Sequence, residues 1–321
     1  MTTIEMKQLS SNNIVSPKGF TAAGVHCGIK KEKKDLAILV SEVPASVAGV
    51  FTTNSVQAAP LKVTKEVVYN TKKMQAIIVN SGNANTCTGK QGIADAYEMQ
   101  ALAAAKLGIE PYLVGVASTG VIGEIMNMEP VVKGVEMLNP NNDLESGMNF
   151  AQAILTTDTV MKNTTYATVI DGKEVLVSGT AKGSGMIEPN MATMLGFITT
   201  DANIESDELQ KALSEITNLT FNAITVDGDT STNDTVVVLA NGLAGNEPLT
   251  PAHPEWNNFY TALRLVAEDL AKAIARDGEG ATKLIEVEVD GAISDEEARK
   301  IAKTVVGSPL VKTAVFGCDA N

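Results

Sequence analysis

The stretch from Lys182 to Ala202 puts one threonine where chemistry could begin. Lys182-Gly183-Ser184-Gly185 leads through Met186, Pro189 and Met191 to Ala192, Thr193 and Met194, and then into an apolar run. The plain reading is a strand entered from a glycine-rich loop. A second reading makes Thr193 a nucleophile held at the start of a core strand. A threonine hydroxyl is a weak nucleophile and needs a nearby base. If the backbone is cut before Thr193, the new α-amine can be that base, because its pKa of roughly 7.7–8.0 lies close to working pH.

Other segments could assist such a nucleophile. Ala117-Ser118-Thr119-Gly120 ends an apolar run beside a glycine. A strand end of this kind is either an ordinary turn or a set of backbone N–H groups able to hold an oxyanion, helped by the Thr119 hydroxyl. Arg276 to Lys283 packs charged groups between glycines after a long helical pattern, which suits a helix C-cap, a solvated turn or the wall of a site. Asn80 to Asn85 and Val226 to Asp234 are polar, glycine-containing loops. The second resembles a calcium loop at Asp227 and Asp229 but has no bidentate Glu near the twelfth position. Neither GxGxxG nor GxxxxGK[ST] occurs, so a nucleotide-binding fold has no support.

Two histidines limit the alternatives. His253 sits in Pro-Ala-His-Pro, which reads as an exposed loop, and His26 lies between glycines. A Ser-His-Asp triad would have to use one of them. A zinc enzyme with two or three His ligands is nearly excluded. The base of any enzyme here is therefore a carboxylate, a lysine or a less common group.

The elements that must position these residues follow from composition and periodicity. A chain of 321 residues suggests about two domains. Apolar residues at 44% and charged ones at 20% fit a globular protein with a large core rather than a disordered tail. A net charge of −13 argues against nucleic-acid or anionic-membrane partners. The apolar runs fall short of the roughly 18 residues of a membrane span. The first eleven residues show no apolar core of a secretory signal. Cys27, Cys87 and Cys318 are few and far apart, which fits a reducing, cytoplasmic setting. Residues 1–192 carry 16 basic and 17 acidic side chains, net −1, leaving 9 and 21, net −12, for residues 193–321. Such an acidic half reads as a solvated face unsuited to polyanions.

Apolar runs predict strands at 36–42, 48–53, 75–80, 112–118, 194–199 and 236–240, with Pro44 separating the first two. Asp171-Gly172 between alternating segments predicts a hairpin within 166–180. Helical patterns cover 91–107, stopped by Gly108, then about 129–138, 144–155, 206–218 opened by Ser206, and 255–276. Residues 283–289 alternate as a half-buried strand, and Ser294 with Glu297 forms a capping box for a last helix near 295–305. Mixed strands and helices with hairpins predict sheets that are not purely parallel.

Taken together, these stretches resemble the ornithine acetyltransferase (glutamate N-acetyltransferase) family of arginine biosynthesis. The likeness runs from Gly19 to the end through NSGNANTCTG at 80–89, ASTG at 117–120, TTDT at 156–159, residues 182–201, residues 225–234 and RDGEGATK at 276–283. Met-Ala-Thr-Met-Leu is its most specific part.

The resemblance implies that the precursor cleaves itself between Ala192 and Thr193 into an alpha chain, 1–192, and a beta chain, 193–321. Thr193 then leads the second chain as nucleophile. Thr119 and Gly120 form the oxyanion hole, and Thr156, Lys182, Thr193 and Glu279 contact the substrate. The implied fold is α/β, a layered α-β-β-α sandwich as the main catalytic domain over 1–280, with the start of a smaller α/β C-terminal domain over 281–321. Thr193 takes the acetyl group of N-acetylornithine and passes it to glutamate by ping-pong chemistry, without a metal or organic cofactor. Acetyl-CoA as a further donor is left open. Members assemble as heterotetramers of two alpha and two beta chains.

Family members continue beyond Asn321 with Trp-Gly-Arg and a segment that supplies an Asn and a Ser or Thr to the substrate. The resemblance therefore implies a C-terminally truncated chain, weak or inactive alone. Two other readings stand beside it. One is an N-terminal-nucleophile amidase or aminopeptidase that gives the acyl group to water. The other is a non-catalytic acidic binding protein whose chain never splits.

Overall fold

The structure is a computed structural model, and it describes residues 6–188 and 194–320. The strands are β1 (Met6–Gln8), β2 (Phe20–Val25), β3 (Leu36–Phe51), β4 (Lys73–Asn83), β5 (Val114–Val121), β6 (Lys162–Ile170), β7 (Lys173–Lys182), β8 (Leu195–Thr200) and β9 (Thr235–Ala240). The α-helices are α1 (Ala59–Glu66), α2 (Gly89–Leu107), α3 (Met128–Met137), α4 (Leu144–Ala153), α5 (Ser206–Leu219), α6 (Trp256–Arg276), α7 (Asp295–Gly307) and α8 (Pro309–Phe316).

The strands join in the order β1-β6-β7-β8-β9-β3-β4-β5, with β2 added on β3. β4–β5 and β8–β9 are parallel, and the remaining pairs are antiparallel, so the sheet is mixed as the hairpins require. The first half of β3 pairs with β2 and β4, while its second half pairs with β9. The sequence predicts two strands divided by Pro44, but the structure has one. Pro44 falls where the register shifts between Val40 and Ala45. A proline is tolerated at a bulge because the ladder needs no N–H there.

Alternation then sorts side chains into layers. Val236 and Val238 pack with α5 and α6, whereas Val237 and Leu239 face a second core that also holds Ile77, Val79 and Phe197. Ile78 and Val116 belong to a third core with Met99 and Ala103 of α2 and Val131 of α3. Each half of the sheet is thus buried on both faces, which explains its near-continuous apolar runs. The layers are helix, sheet, sheet, helix.

Most local signals hold. Asp171 (φ 51°) and Gly172 (φ 70°) turn the β6–β7 hairpin, and Gly108 (φ 67°) ends α2. Ser294 accepts the Glu297 N–H at 3.2 Å and caps α7. Ser206 is the first residue of α5, after the Glu205 cap, and its hydroxyl donates to the Val47 carbonyl. Residues 283–289, expected as a strand, are irregular. A strand needs a hydrogen-bonding neighbour, and among the described residues none lies beside this segment. α7 and α8 bury none of their residues. Between them and α6 lies a cavity of about 1010 Å³.

Candidate active site

The ends of β5 and β7 meet across the site. Lys182 Nζ, on the last residue of β7, donates to Thr119 Oγ1 at 3.2 Å, and both side chains are buried. Gly120 follows with φ 134°, and a Cβ there would stand 2.3 Å from the Gly82 carbonyl carbon. Only glycine allows β5 to run this close to β4. The Asn233 carboxamide fixes the same strand end, donating to Ser118 O at 2.8 Å and Ala84 O at 2.6 Å.

Behind Lys182 lies a buried charge cluster. Asp158 Oδ1 accepts from Lys162 Nζ at 2.8 Å and from Gly183 N at 2.6 Å, and its Oδ2 accepts from Thr156 N at 3.0 Å. Lys162 Nζ also reaches Asp277 Oδ2 at 2.6 Å. Thr159 donates to Asp277 from both its amide and its hydroxyl. Ser184 binds the Asp277 carbonyl at 2.7 Å and accepts the Glu279 N–H on its own carbonyl at 3.0 Å. The Glu279 carboxylate is so close that a Cβ on Gly185 would lie 2.5 Å from its Cδ. Thr119, Gly120, Thr156, Lys182 and Glu279, expected in one site, are brought together.

Burial lowers the Lys182 pKa from its ordinary value, reinforced by Lys162 and opposed by Asp158, Asp234 and Glu279. Burial pushes Asp158 up, yet Lys182, Lys162 and the Gly183 N–H outweigh it and hold the carboxyl below its usual range. Burial pushes Asp277 up too, but Lys162 and Thr159 hold it down. A buried amine with a depressed pKa beside a hydroxyl, in a site without histidine, can shift a proton equilibrium or steady developing negative charge.

Ala192 and Thr193, the expected scissile pair, lie outside the described residues. Both flanks of that stretch are held by one loop. Asp227 accepts the N–H groups of Met186 at 2.5 Å and Ile187 at 2.9 Å, and Thr230 donates to Glu188 O at 3.1 Å. Asp234 Oδ1 accepts from Met194 N at 2.8 Å. Burial raises the Asp234 carboxyl well above its ordinary value despite that amide. The loop that superficially suggests calcium is a clamp on the backbone. Met186, with φ 59°, sits in the left-handed region at its edge.

The histidines are tied down elsewhere. His26 Nδ1 lies 2.8 Å from Lys33 O and 3.2 Å from Asp35. His253 is half-buried rather than exposed, with Nε2 3.3 Å from Asp171 and Nδ1 accepting the Glu255 N–H. Asp171, His253 and Glu255 form the one group among the described residues that could hold a metal ion. Their hydrogen bonds already latch the hairpin tip to the start of α6.

Asp158, Lys162, Asp277, Asn233 and Asp234 were not singled out as site residues from sequence, although all but Lys162 lie in segments that carry the resemblance. For those four the available signal was an acid or amide inside a glycine- or threonine-rich motif, and Lys162 had none.

The sequence pattern of the ArgJ family matches residues 21–321. The chain is 60% identical over 319 residues to the arginine biosynthesis bifunctional protein ArgJ of Halalkalibacterium halodurans, covering 99% of this chain and 78% of that one. A crystal structure of ArgJ from Bacillus halodurans is 51% identical with a TM-score of 0.58, covering 60% of this chain and 99% of the other. The ornithine acetyltransferase of Mycobacterium tuberculosis, solved with ornithine, is 35% identical with a TM-score of 0.54, covering 58% and 99%.

Proposed function

The chain belongs to the ArgJ family, and from that premise we propose that it is an acyltransferase of arginine biosynthesis that moves the acetyl group of N-acetylornithine to glutamate through an ester on Thr193. Processing comes first. The Thr193 hydroxyl attacks the Ala192 carbonyl, the Ala192–Thr193 C–N bond breaks, and water hydrolyses the resulting ester. The products are a chain of residues 1–192 and a chain led by Thr193 with a free α-amine.

In turnover the α-amine takes the hydroxyl proton as Thr193 attacks the acetyl carbonyl. The tetrahedral oxyanion is held by Thr119 and the Gly120 N–H. Collapse breaks the amide bond, the proton passes to the departing nitrogen, and ornithine leaves. Glutamate then attacks the acetyl-threonine ester with its α-amine and regenerates the hydroxyl. Thr156 and Glu279 contact the substrate, and Lys182, beside Thr119, favours the neutral α-amine. The small-molecule substrates also leave room for acetyl-CoA as donor, and the working particle is a heterotetramer of two chains of each kind in the cytoplasm.

The observation that carries this reading is the Lys182–Thr119 contact at the strand end that leads toward Thr193, in a site to which neither histidine contributes. Denaturing gels and mass spectrometry test it. Wild type should give fragments of 192 and 129 residues (321 − 192) and an acetyl adduct on the second, and Thr193→Ala should abolish both. Cleavage that survives Thr193→Ala overturns the assignment. Acetate released at the same rate with and without glutamate favours an amidase instead.

A further inference from the structure

Of the lysines around Asp158, Lys30 is the one that is only half-buried. Lys162 is fully buried between Asp158 and Asp277. Lys182 is buried against Thr119. Lys30 is half-buried, and its ammonium has one hydrogen-bond partner among the described residues, the Leu155 carbonyl at 2.9 Å, immediately before Thr156.

The loop that carries Lys30 is built rather than loose. Asp35, wholly buried, accepts the N–H groups of Cys27 at 2.7 Å, Gly28 at 3.1 Å and Lys30 at 2.8 Å. Asp35 is tied in turn to β4, its carbonyl accepting the Ser81 N–H at 2.9 Å. The Lys30 stem rests on Gly82, where a Cβ would meet its Cγ at 2.9 Å. Gly82 is the residue that Gly120 abuts. The Lys30 stem and Gly120 thus both lie against Gly82 of β4, and the Lys30 ammonium holds the carbonyl of the residue before Thr156.

We infer that the Lys30 ammonium binds the carboxylate of the amino-acid substrate, a role that rests on the acyl-transfer reading of this site. An amino-acid substrate with a side-chain amine carries opposite charges at its two ends. Glu279 supplies an exposed anion for one end, and Lys30 supplies a cation with two free N–H donors for the other. Hydrogen bonds between two ionised groups are the strong ones.

Burial pulls the Lys30 pKa down to about 8. Asp35 and Asp158 pull it up, and Lys33 and Lys182 push it down. The cation is therefore present at neutral pH and lost just above it, so carboxylate binding should weaken above about pH 8. N-acetylornithine is the suitable probe because its α-nitrogen is acylated and does not titrate there.

The test is calorimetric binding of N-acetylornithine, with steady-state kinetics alongside, for wild type, Lys30→Met and Lys30→Arg. Lys30→Met should weaken binding and raise KM about tenfold to a hundredfold at pH 7, with kcat changed less than about threefold and self-cleavage intact. Lys30→Arg should retain most of the affinity, and its affinity should no longer fall above pH 8. Equal affinity in wild type and Lys30→Met, no binding by either, or loss in Lys30→Arg equal to that in Lys30→Met overturns the inference. A wild type that binds but forms no acetyl adduct sinks the acyl-transfer reading alone.

Discussion

Lys182 Nζ meets Thr119 Oγ1 at 3.2 Å although the two residues are 63 positions apart. The contact joins the end of β7 to the end of β5 and sets a cation beside the hydroxyl proposed to hold the oxyanion. Lys182→Met removes that cation and should lower kcat by about 10²–10³, the usual loss for one oxyanion donor. Because burial lowers the Lys182 pKa, wild type should lose activity at a lower pH than an ordinary lysine would dictate. That alkaline limb should be missing from the residual activity of Lys182→Met.

Gly120 cannot carry a side chain without moving β4. At φ 134° an alanine is strained, and its Cβ would meet the Gly82 carbonyl carbon at 2.3 Å. Gly120→Ala should cost about 1–3 kcal/mol from backbone strain, with a fall in kcat as the N–H turns away. Thermal unfolding and single-turnover kinetics measure the two effects separately.

Lys162 holds two buried carboxylates, Asp158 and Asp277. Lys162→Met removes the cation they share, leaving Asp158 to Lys182 and the Gly183 N–H and Asp277 to the Thr159 donors, and should destabilise the protein by about 3–5 kcal/mol at pH 7, the cost of removing one partner from a buried pair. The pH dependence should flatten. In wild type both carboxyls titrate below their ordinary 3.8. Their contribution is therefore present above that value and lost as pH falls through the lower folded pKa. In Lys162→Met the same carboxyls lose one of the groups that hold them down, so their folded pKa values rise toward 3.8 and less stability is lost as the pH falls. Urea unfolding at pH 4 and pH 7 distinguishes the two slopes.

Local rules made much of the scaffold legible. Asp171-Gly172 forced the hairpin, Gly108 stopped α2, and Ser294 with Glu297 opened α7, because each depends on backbone preferences within a few residues. Thr119 and Gly120 were legible as a candidate oxyanion site from the glycine at a strand end, whereas Thr156, Lys182 and Glu279 were legible as substrate contacts only through resemblance, since no spacing along the chain links them. Pro44 and residues 283–289 misled in opposite directions. Pro44 looked like a break, but the bulge absorbed its missing N–H. Residues 283–289 had the strand alternation but no neighbouring strand to bond.

The sequence by itself determined the periodicities, the turns and the presence of one threonine in a setting that suits a nucleophile. Tertiary structure decided the remainder. Whether Lys182 is a solvated charge or a buried amine, whether Asp227 holds a cation or a backbone, and whether the Lys30 ammonium is free or seated on the Leu155 carbonyl all depend on groups far away in the chain. Ionisation and hydrogen bonding respond to distance and burial in space, and only the folding of the sheet upon itself through β3 sets those.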